Sequence, residues 1–255
     1  MIRTILVVFY LALVLILLLP LLFILWLIGK KNPSAKNKTI AWIVKYLLAR
    51  PILWLAGAHV TVYGQENIPS DHPAVFMGNH RGLFDSVLLY SRFNEPCGFV
   101  SKAEIKKIPL INLWLKSMNC LFVDRDDVRD GLKMILAGIE HLKNGISVCI
   151  MPEGTRSKTD EVLPFKEGSM KLATKSGCPI IPVAITGAAS LFDDHKPFIR
   201  SSNVTLTFGK PINVKEMSRD QQKNMGVHVR GVIVEMLEKG PGYIPESYSF
   251  MSSEN

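Results

Sequence analysis

The chain has 255 residues, which suits one domain, or one domain with an appendage. Its formal net charge is +8, but seven basic residues and no acidic ones precede Glu66, and the remaining chain has 23 basic and 22 acidic residues. The positive charge therefore belongs to the N-terminal end, which argues against nucleic-acid binding and for contact with an anionic membrane surface. The four cysteines are widely spaced and form no C-x-x-C pair, so we expect no metal or redox site.

Residues 1–30 are predicted to form a hydrophobic membrane segment. Ile5 to Ile28 is an uncharged run of 24 residues, and a helix of that length reaches about 36 Å, enough to cross a bilayer. A signal peptide has a shorter apolar core and a small-residue cleavage site, so we expect no cleavage. Lys30 and Lys31 follow the run, which places this side in the cytoplasm. Pro20 leaves two alternatives: a kinked spanning helix, or a segment that dips into one leaflet and returns.

Residues 31–58 are predicted to form a basic linker and then an interfacial helix. The linker reaches Lys38, and the apolar run that follows is interrupted by Lys45 and Arg50, so it is a poor spanning helix. It carries three aromatic residues of the kinds found at membrane interfaces, Trp42, Tyr46 and Trp54. We interpret it as a helix that seats the next domain on the membrane, with an ordinary packing helix as the alternative.

Residues 59–240 alternate strand-like and helix-like runs, which predicts an α/β domain with a mostly parallel central sheet flanked by helices. The clearest helix spans Val128 to Lys143, and another is expected from Val214 to Lys239. The tail, residues 241–255, is expected to be irregular. The apolar stripe of the clearest helix consists of Val128, Leu132, Ile135, Ile139 and Leu142. The strand-like runs are Val60–Tyr63, Ala74–Met77, Gly98–Ser101, Cys120–Val123, Ser147–Met151, Ile180–Ile185 and Val204–Phe208.

His80 and Asp85 stand at the junction of a buried strand and a helix. Five residues of helix rotate by about 140°, so the two side chains would not share a helix face. They can meet only if the chain turns between them, and Gly82 permits a turn. A histidine held by a carboxylate is the base half of a catalytic triad, and a substrate with its own hydroxyl needs no further nucleophile. The alternative is a solvated histidine followed by a helix-capping aspartate.

Four more candidate residues follow other strands. Arg125 and Arg156 are placed to bind an anion, because a guanidinium matches a phosphate with two hydrogen bonds. Gly154 would let backbone amides approach that anion, and Lys102 is a further cation at a strand end. The alternatives are surface ion pairs of the arginines with Asp124 or Glu153, and a solvated lysine.

These stretches resemble the glycerolipid acyltransferases, which carry an N-H-x4-D block, an F-[IV]-D-R block, an F-P-E-G-T-R-S block and a V-P-V-A-I-like strand, in that order. The corresponding segments, together with an F-K-x-G-like stretch, fall between Pro73 and Ile185. Met151 replaces a usual Phe and Ile181 a usual Val, and both keep apolar bulk. The segments are Asn79–Asp85, Phe122–Arg125, Met151–Ser157, Phe165–Gly168 and Ile181–Ile185.

Within that family the chain looks most similar to 1-acylglycerol-3-phosphate acyltransferases, which make phosphatidic acid. The resemblance implies His80 as the base, Asp85 as its orienting partner, and a lysophospholipid as the acceptor. It implies acyl-CoA or acyl-carrier protein as the donor, with no cofactor or metal, and a membrane location, either the bacterial inner membrane or the endoplasmic reticulum. The acceptor-binding residues that it implies are Lys102, Arg125, Glu153, Gly154 and Arg156.

Three alternative functions remain open from the sequence. The first is an acyltransferase for another acceptor, such as glycerol 3-phosphate, another lysophospholipid or a lyso-aminolipid. The second is a thioester hydrolase that uses water in place of the lipid hydroxyl. The third is a non-catalytic lipid-binding protein with the same fold.

Overall fold

A seven-stranded sheet forms the centre of the computed structural model, which describes residues 1–246 apart from the side chains of Arg219 and Asp220. The strand order is β1-β7-β6-β2-β5-β3-β4. All neighbouring strands are parallel except β6 and β7, which pair antiparallel. The predicted α/β class and mostly parallel sheet are confirmed. The strands are Ala58–Tyr63, Val75–Gly78, Cys97–Lys102, Leu121–Val123, Ser147–Ile150, Ile180–Thr186 and Ser202–Phe208, numbered β1 to β7.

Helices cover both faces of the sheet. Because side chains alternate along a strand, Phe76 of β2 joins one apolar core, while its neighbours Val75 and Met77 join the other. The first core is completed by α1 to α6, and the second by α7, α8 and α10. The helices are Ile2–Leu17, Leu19–Lys31, Pro33–Ile43, Arg50–Ala56, Phe84–Tyr90, Pro109–Ser117, Val128–Lys143, Lys171–Ser176, Arg219–Lys223 and Met225–Glu238, numbered α1 to α10.

The N-terminal membrane segment is a bent pair of helices. α1 and α2 meet at Leu18 at an angle of 49°, with Pro20 at the start of α2, where its missing N–H costs no hydrogen bond. By length and composition the pair qualifies as a single bent membrane span, and Pro33–Ala56 qualifies by itself, with half of its most apolar window buried. The bend agrees with both alternatives that Pro20 leaves open, a kinked span and a segment that returns.

Within the predicted basic linker, Lys30 to Lys38, Asn32 alone is outside a helix, because α2 ends at Lys31 and α3 begins at Pro33. Asn32 caps α3 by accepting a hydrogen bond from the N–H of Ala35 at 3.0 Å, and Pro33 occupies the first helical position. Asparagine before a helix and proline at its first position favour helix formation. The segment nevertheless has the polar, basic composition that is typical of a linker. Helix continues through a π-helical segment, Val44–Ala49, into α4.

Pro51 explains a long-range contact beside this π-helical segment. Proline has no N–H, so residue 51 cannot donate to the carbonyl of Leu47, four residues earlier, as it would in an α-helix. The hydroxyl of Tyr10, on α1, donates to that carbonyl at 2.9 Å. The same helix is attached further along, where the indole N–H of Trp114 donates to the carbonyl of Leu15 at 3.2 Å. α1 is therefore bound to the domain by specific hydrogen bonds as well as by apolar packing.

Two other predictions are confirmed in part. The helix Val128–Lys143 has the predicted bounds, and Asp127 caps it, but Val128 and Leu132 of its apolar stripe are exposed. The predicted last helix begins later than expected: a short 3-10 turn and α9 precede α10, which ends at Glu238. Residues 240–246 form no helix or strand, and the remainder of the predicted tail, 247–255, lies outside the described residues.

Candidate active site

Four loops meet at one edge of the sheet, because β2, β5, β3 and β4 are neighbours that run in the same direction. The strands end at Gly78, Ile150, Lys102 and Val123. In α/β proteins this carboxyl edge is where ligands bind. Every candidate residue named from the sequence ends or follows one of these four strands, so the fold gathers all of them on one side.

His80 and Asp85 form a hydrogen-bonded pair although they are five residues apart. The loop turns between them, since the N–H groups of Arg81 and Gly82 both donate to Asp85 Oδ2 at 2.9 Å. The same oxygen lies 2.7 Å from His80 Nδ1. The Asp85 side chain is fully buried, whereas 19% of the His80 side chain is exposed. The structure thus brings the two together, and their chemical roles stay predictions.

The hydrogen bonds of Asp85 assign the tautomer of His80. An ionised carboxylate can only accept, so Nδ1 carries the proton of the shared hydrogen bond. Nε2 then keeps a lone pair that can take a proton from a substrate. The other oxygen, Asp85 Oδ1, is buried and has no hydrogen-bond partner among residues 1–246. The orientation of the ring therefore depends on Oδ2.

Glu153 fixes the backbone of His80. One of its oxygens accepts from the N–H of His80 at 2.6 Å, and the other from the N–H of Leu163 at 2.9 Å. The N–H of Ser157 donates to the His80 carbonyl at 2.8 Å. Burial raises the pKa of Glu153, while the two N–H donors act in the opposite direction. Since both oxygens are engaged, the geometry favours a positioning role, and the predicted contact of Glu153 with the acceptor stays a prediction.

Asn79 anchors the start of the same loop. Its Nδ2 donates to the carbonyl of Ile185 at 3.0 Å, and its Oδ1 accepts from the N–H of Ile185 at 2.8 Å. The side-chain amide therefore extends the pairing of β2 with β6 past Gly78, where the main chain leaves the sheet. The asparagine of the N-H-x4-D block has no predicted role, and its position in that block is the signal that could have suggested one.

The predicted cations differ in the partners that they have. Arg156 Nη1 lies 2.6 Å from Asp193 Oδ1, and Lys102 Nζ lies 2.5 Å from Glu104 Oε1. Arg125 forms no ion pair with any carboxylate in the described part of the chain. Burial lowers the pKa of Arg125, and the nearby charge of Arg156 lowers it further, whereas Glu104 opposes the shift. Among these three cations, Arg125 is the one left available to an anion.

Lys166 is a cation at this edge to which the sequence assigns no role. Its side chain lies over Gly154, where an added Cβ would be 2.8 Å from Lys166 Cε and 3.0 Å from Nζ. Gly154 also has a φ of +72°, which side chains rarely adopt. The missing side chain of Gly154 makes room for Lys166, and the predicted approach of backbone amides to an anion there stays a prediction. The F-K-x-G stretch was the signal for Lys166.

Asp193 connects the loop after β6 to the site. Its Oδ1 lies 2.6 Å from Arg156 Nη1 and 2.8 Å from Lys196 Nζ, and its Oδ2 accepts from the N–H of Leu83 at 2.6 Å. Burial raises the pKa of Asp193, but the hydrogen bonds from Lys196 and Leu83 and the charge of Arg156 outweigh it, so the pKa is lowered. Asp193 begins a 3-10 turn after β6, and nothing in the sequence marks it.

A cavity of about 530 Å³ adjoins His80 and lies between α7 and strands β3 to β5. Besides the histidine, the cavity wall contains Gly154 and six polar or charged residues, which are Asp124, Arg125, Asp127, Lys166, Ser169 and Lys171. The rest of the wall is mainly apolar and includes Val100, Val123, Val128, Leu132, Met134, Ile135, Ile150 and Met151. The exposed residues of the α7 stripe, Val128 and Leu132, thus face this cavity. The site combines a histidine, cations without ion-pair partners in the described chain and a long apolar wall.

Known proteins share this arrangement of sequence and fold. A family model described as Acyltransferase matches residues 59–186. A 1-acyl-sn-glycerol-3-phosphate acyltransferase of Borreliella burgdorferi is 32% identical over 186 residues, which cover 73% of this chain and 74% of the relative. The chain belongs to the acyltransferase family. A yeast protein of the same name, from Saccharomyces cerevisiae, is 28% identical over 86% of this chain and 71% of its own.

A solved structure of the acyltransferase family has the same fold. The crystal structure of the 1-acyl-sn-glycerophosphate (LPA) acyltransferase PlsC from Thermotoga maritima matches with a TM-score of 0.76 and 26% identity, covering 93% of this chain and 96% of that one. This chain is therefore an acyl-transferring enzyme of lipid metabolism. Its apolar N-terminal helices, together with these relatives, indicate that this acyltransferase is associated with a membrane.

Proposed function

We propose that this acyltransferase moves an acyl chain from a thioester to the sn-2 hydroxyl of 1-acylglycerol 3-phosphate and forms phosphatidic acid. The observation that carries the proposal is the cavity in which His80, held by Asp85, lies beside Arg125, Lys166 and a mainly apolar wall. A hydroxyl that becomes a nucleophile needs a base, the phosphate needs cations and the acyl chain needs apolar surface. The names of the similar proteins support the same acceptor.

The phosphate of the acceptor binds at Arg125 and Lys166 in this proposal. Neither cation has an ion-pair partner among the described residues, and both line the cavity with His80. A phosphate there would relieve the repulsion between Arg125 and Arg156, which lowers the pKa of Arg125 in addition to the larger effect of burial. Arg156 supports the site from the side, where Asp193 holds it. Lys102 lies further out and is paired with Glu104.

The apolar wall of the cavity takes the acyl chain of the donor. Burial of each methylene group contributes about 0.8 kcal/mol, so an apolar cavity selects long chains over short ones. The chain would lie between α7 and the sheet, with its thioester carbonyl next to His80. The donor is acyl-CoA or acyl-carrier protein, and the same cavity serves for both because they carry the same acyl thioester.

The reaction then needs one base and no covalent enzyme intermediate. Nε2 of His80 takes the proton of the sn-2 hydroxyl, and the oxygen attacks the thioester carbonyl. The tetrahedral intermediate collapses, the carbon–sulfur bond breaks, and the proton passes from His80 to the leaving thiolate. Asp85 stabilises the imidazolium that forms in between. No step in this scheme draws on a metal or a further cofactor.

The membrane supplies the acceptor and receives the product in this proposal. Both are lipids, so the edge of the sheet that carries His80 must be reached from a bilayer. Lys30 and Lys31 follow the apolar helices, and basic residues favour the cytoplasmic side. The active site therefore faces the cytoplasm, at the bacterial inner membrane or at the endoplasmic reticulum of a eukaryote.

An assay with several acceptors and both donors tests this function. Purified protein in vesicles receives 1-acylglycerol 3-phosphate, glycerol 3-phosphate or lysophosphatidylcholine, each with acyl-CoA and with acyl-carrier protein. We expect phosphatidic acid from the first acceptor, at a kcat/KM well above the other two. Preferred acylation of glycerol 3-phosphate would overturn the acceptor, and release of free fatty acid without any acceptor would identify a hydrolase.

A further inference from the structure

A second group of cations lies on the opposite edge of the sheet from His80. α5 leaves the carboxyl end of β2 and runs back, so Arg92, just after it, lies near the start of β3. Arg92 lines a small cavity together with Cys97 and Ser147, the first residues of β3 and β5. The proposed acyl-transfer site and this region are therefore separated by the length of the strands.

Lys45, Arg50 and Arg92 gather here, and Glu95 lines the same small cavity as Arg92. Lys45 is 3% exposed, and its Nζ donates to the carbonyl of Arg92 at 3.3 Å and to Asn94 Oδ1. Arg50 lies over the ring of Tyr46, 4.6 Å from its centroid. None of the three cations forms an ion pair with any acidic residue in the described range 1–246.

Arg92 has hydrogen-bonding capacity that the protein leaves unused. Its Nε is buried and has no hydrogen-bond partner among the described residues. Burial lowers the pKa of Arg92, and the charge of Arg50 lowers it further, so the two guanidinium groups repel each other. The one acid close by in sequence, Glu95, pairs with Lys38 at 3.7 Å. Like charges held together in this way are stabilised when an anion binds between them.

The surroundings of these cations are those of a membrane interface. Trp42, Tyr46, Arg50 and Trp54 recur at steps of four along the helical stretch Pro33–Ala56, and all four are exposed, Trp54 by 78%. Tryptophan and tyrosine lie at the level of lipid headgroups, where a phosphate is the common anion. Arg50 belongs to the same series, so its guanidinium group would also lie at the level of the headgroups.

We propose that Arg50 and Arg92, with Lys45 beneath them, bind the phosphate of an anionic phospholipid headgroup at the membrane surface. The site is distinct from the acceptor site, because it lies at the other edge of the sheet. It would orient the enzyme on an anionic bilayer and stabilise the packing of the N-terminal helices against the domain.

Lipid-dependent stability tests the proposal. The full-length protein in an uncharged detergent is heated with phosphatidylglycerol, with phosphatidylcholine or with inorganic phosphate. We expect the midpoint temperature of thermal unfolding to be higher by on the order of 3 °C with phosphatidylglycerol than with phosphatidylcholine. The double variant Arg50→Gln/Arg92→Gln should lose most of that difference. The single variant Arg50→Gln, which changes an exposed side chain, should lose part of it. Lys30→Gln/Lys31→Gln, which removes the same charge from α2, should keep it.

Three outcomes would overturn the headgroup site. The first is an equal unfolding midpoint of the wild type with both lipids. The second is a loss of the lipid difference in Lys30→Gln/Lys31→Gln that equals the loss in Arg50→Gln/Arg92→Gln. The third is the same stabilisation by inorganic phosphate, which would identify the free ion as the ligand. Acyl transfer by Arg50→Gln in detergent should stay near wild type. Failure of this site would thus leave the proposed activity intact, and loss of transfer would point to damage at the catalytic edge.

Discussion

At the scale of single residues, the His80–Asp85 pair differs from a helix cap. Asp85 Oδ2 accepts from the N–H groups of Arg81 and Gly82 and from His80 Nδ1, so one oxygen sets both the loop and the imidazole. A helix cap would bind backbone N–H groups alone. In the proposed mechanism, the hydrogen bond to the imidazole gives Asp85 its role.

The first prediction concerns this pair as a unit. His80→Ala should reduce transfer by about 10²–10⁴ or more while the protein stays folded, because the base is lost. Asp85→Asn should also be severe, since a neutral amide cannot stabilise an imidazolium. The double variant should be scarcely worse than His80→Ala, as residues that act together are not additive. Transfer rates and thermal unfolding are measured on the same preparations.

The chain offers a matched control for the first prediction. His72 Nδ1 also lies 2.7 Å from an aspartate oxygen, that of Asp71, but on the surface, where 52% and 82% of the two side chains are exposed. His72→Ala should leave transfer near wild type. Substantial activity in folded His80→Ala would remove the proposed base and the mechanism with it.

The second prediction concerns the acceptor phosphate. Arg125→Gln and Lys166→Gln should each raise the KM for 1-acylglycerol 3-phosphate far more than the KM for the thioester. Losing one charge-assisted contact costs on the order of 2–5 kcal/mol when it is buried and less when it is exposed, so Arg125 should matter more than Lys166. Lys133→Gln, an exposed lysine on α7, is the control. Equal rises for both substrates would indicate damage to the fold.

The third prediction concerns Asp193 and pH. The lowered pKa of Asp193 means that its ionised form is favoured by folding. Its contribution to the free energy of unfolding is complete above the ordinary carboxyl pKa of 3.8 and is lost as the pH falls below that. The stability difference between wild type and Asp193→Asn, measured by denaturant unfolding, should therefore shrink from pH 6 towards pH 3. A constant difference would contradict the proposed pairing with Arg156 and Lys196.

Asp193→Asn should also alter acceptor binding. With Arg156 no longer held at 2.6 Å, the KM for the acceptor should rise while the KM for the thioester changes little. Asp160, whose side chain is fully exposed, provides the control, and Asp160→Asn should change neither. A fall in kcat with both KM values unchanged would mean that Asp193 acts on the His80 loop through Leu83 instead.

At the scale of secondary-structure elements, the strands and α7 could be predicted because burial imposes a short repeat on the sequence. All seven predicted runs correspond to strands. The central strands β2, β5 and β6 are continuous apolar runs because they are buried on both faces, whereas the edge strand β1 alternates between half-buried and exposed residues. The stripe of α7 identified the helix but not what the stripe faces. Ile139 and Leu142 enter the core, Val128 and Leu132 line the cavity, and Ile135 belongs to both. A core and an apolar cavity demand the same residue types, so periodicity cannot separate them.

The candidate site was only partly predictable from the sequence, because some of its contacts join residues that are far apart in the chain. His80, Asp85, Glu153 and Arg156 could be predicted as site residues because each lies within a short sequence motif. Asp193 and Arg156, by contrast, are 37 positions apart in the sequence. In the group of cations at the other edge, Lys45 and the carbonyl of Arg92, to which it donates, are 47 positions apart. Such contacts depend on the packing of distant elements, so no local sequence pattern predicts them.

The fourth prediction concerns the helical stretch that contains Pro51. Tyr10→Phe removes the hydroxyl that donates to the carbonyl of Leu47, so we expect a loss of about 1–3 kcal/mol in the free energy of unfolding. Pro51→Ala supplies an N–H that can bond the same carbonyl. In that background Tyr10→Phe should cost less. A cost that is the same with and without Pro51 would show that the two residues are not coupled.

At the scale of the whole molecule, the N-terminal helices present an apolar surface that the rest of the described chain does not cover. Phe9, Phe23 and Trp54 expose 65%, 61% and 78% of their surface. Patches of this extent mark contact with another apolar phase, here a bilayer. Because Tyr10, Trp114 and Thr4 bond α1 to the rest of the protein, helix and domain approach the bilayer together.

The fifth prediction is that this surface lies in the lipid. Spin labels on cysteines placed at Phe9 and Phe23 should be more accessible to oxygen than to a water-soluble nickel reagent in vesicles. A label at Val227, equally exposed at 64% but on α10, should show the reverse. Preferential access of the nickel reagent to position 9 or 23 would contradict membrane burial of these helices.

The sheet has one consequence for how such enzymes can diverge. It separates the layer of N-terminal helices from the cavity beside α7, and β2, which leads to His80, alternates its side chains between the two. If the cavity takes the acyl chain, a substitution at Gly131 or Met134 can change the preferred chain length and leave every lipid-facing residue as it was. Changes on α1 or α2 can likewise suit a new bilayer at constant chain length. The two properties can then be inherited separately, with the same histidine serving every combination.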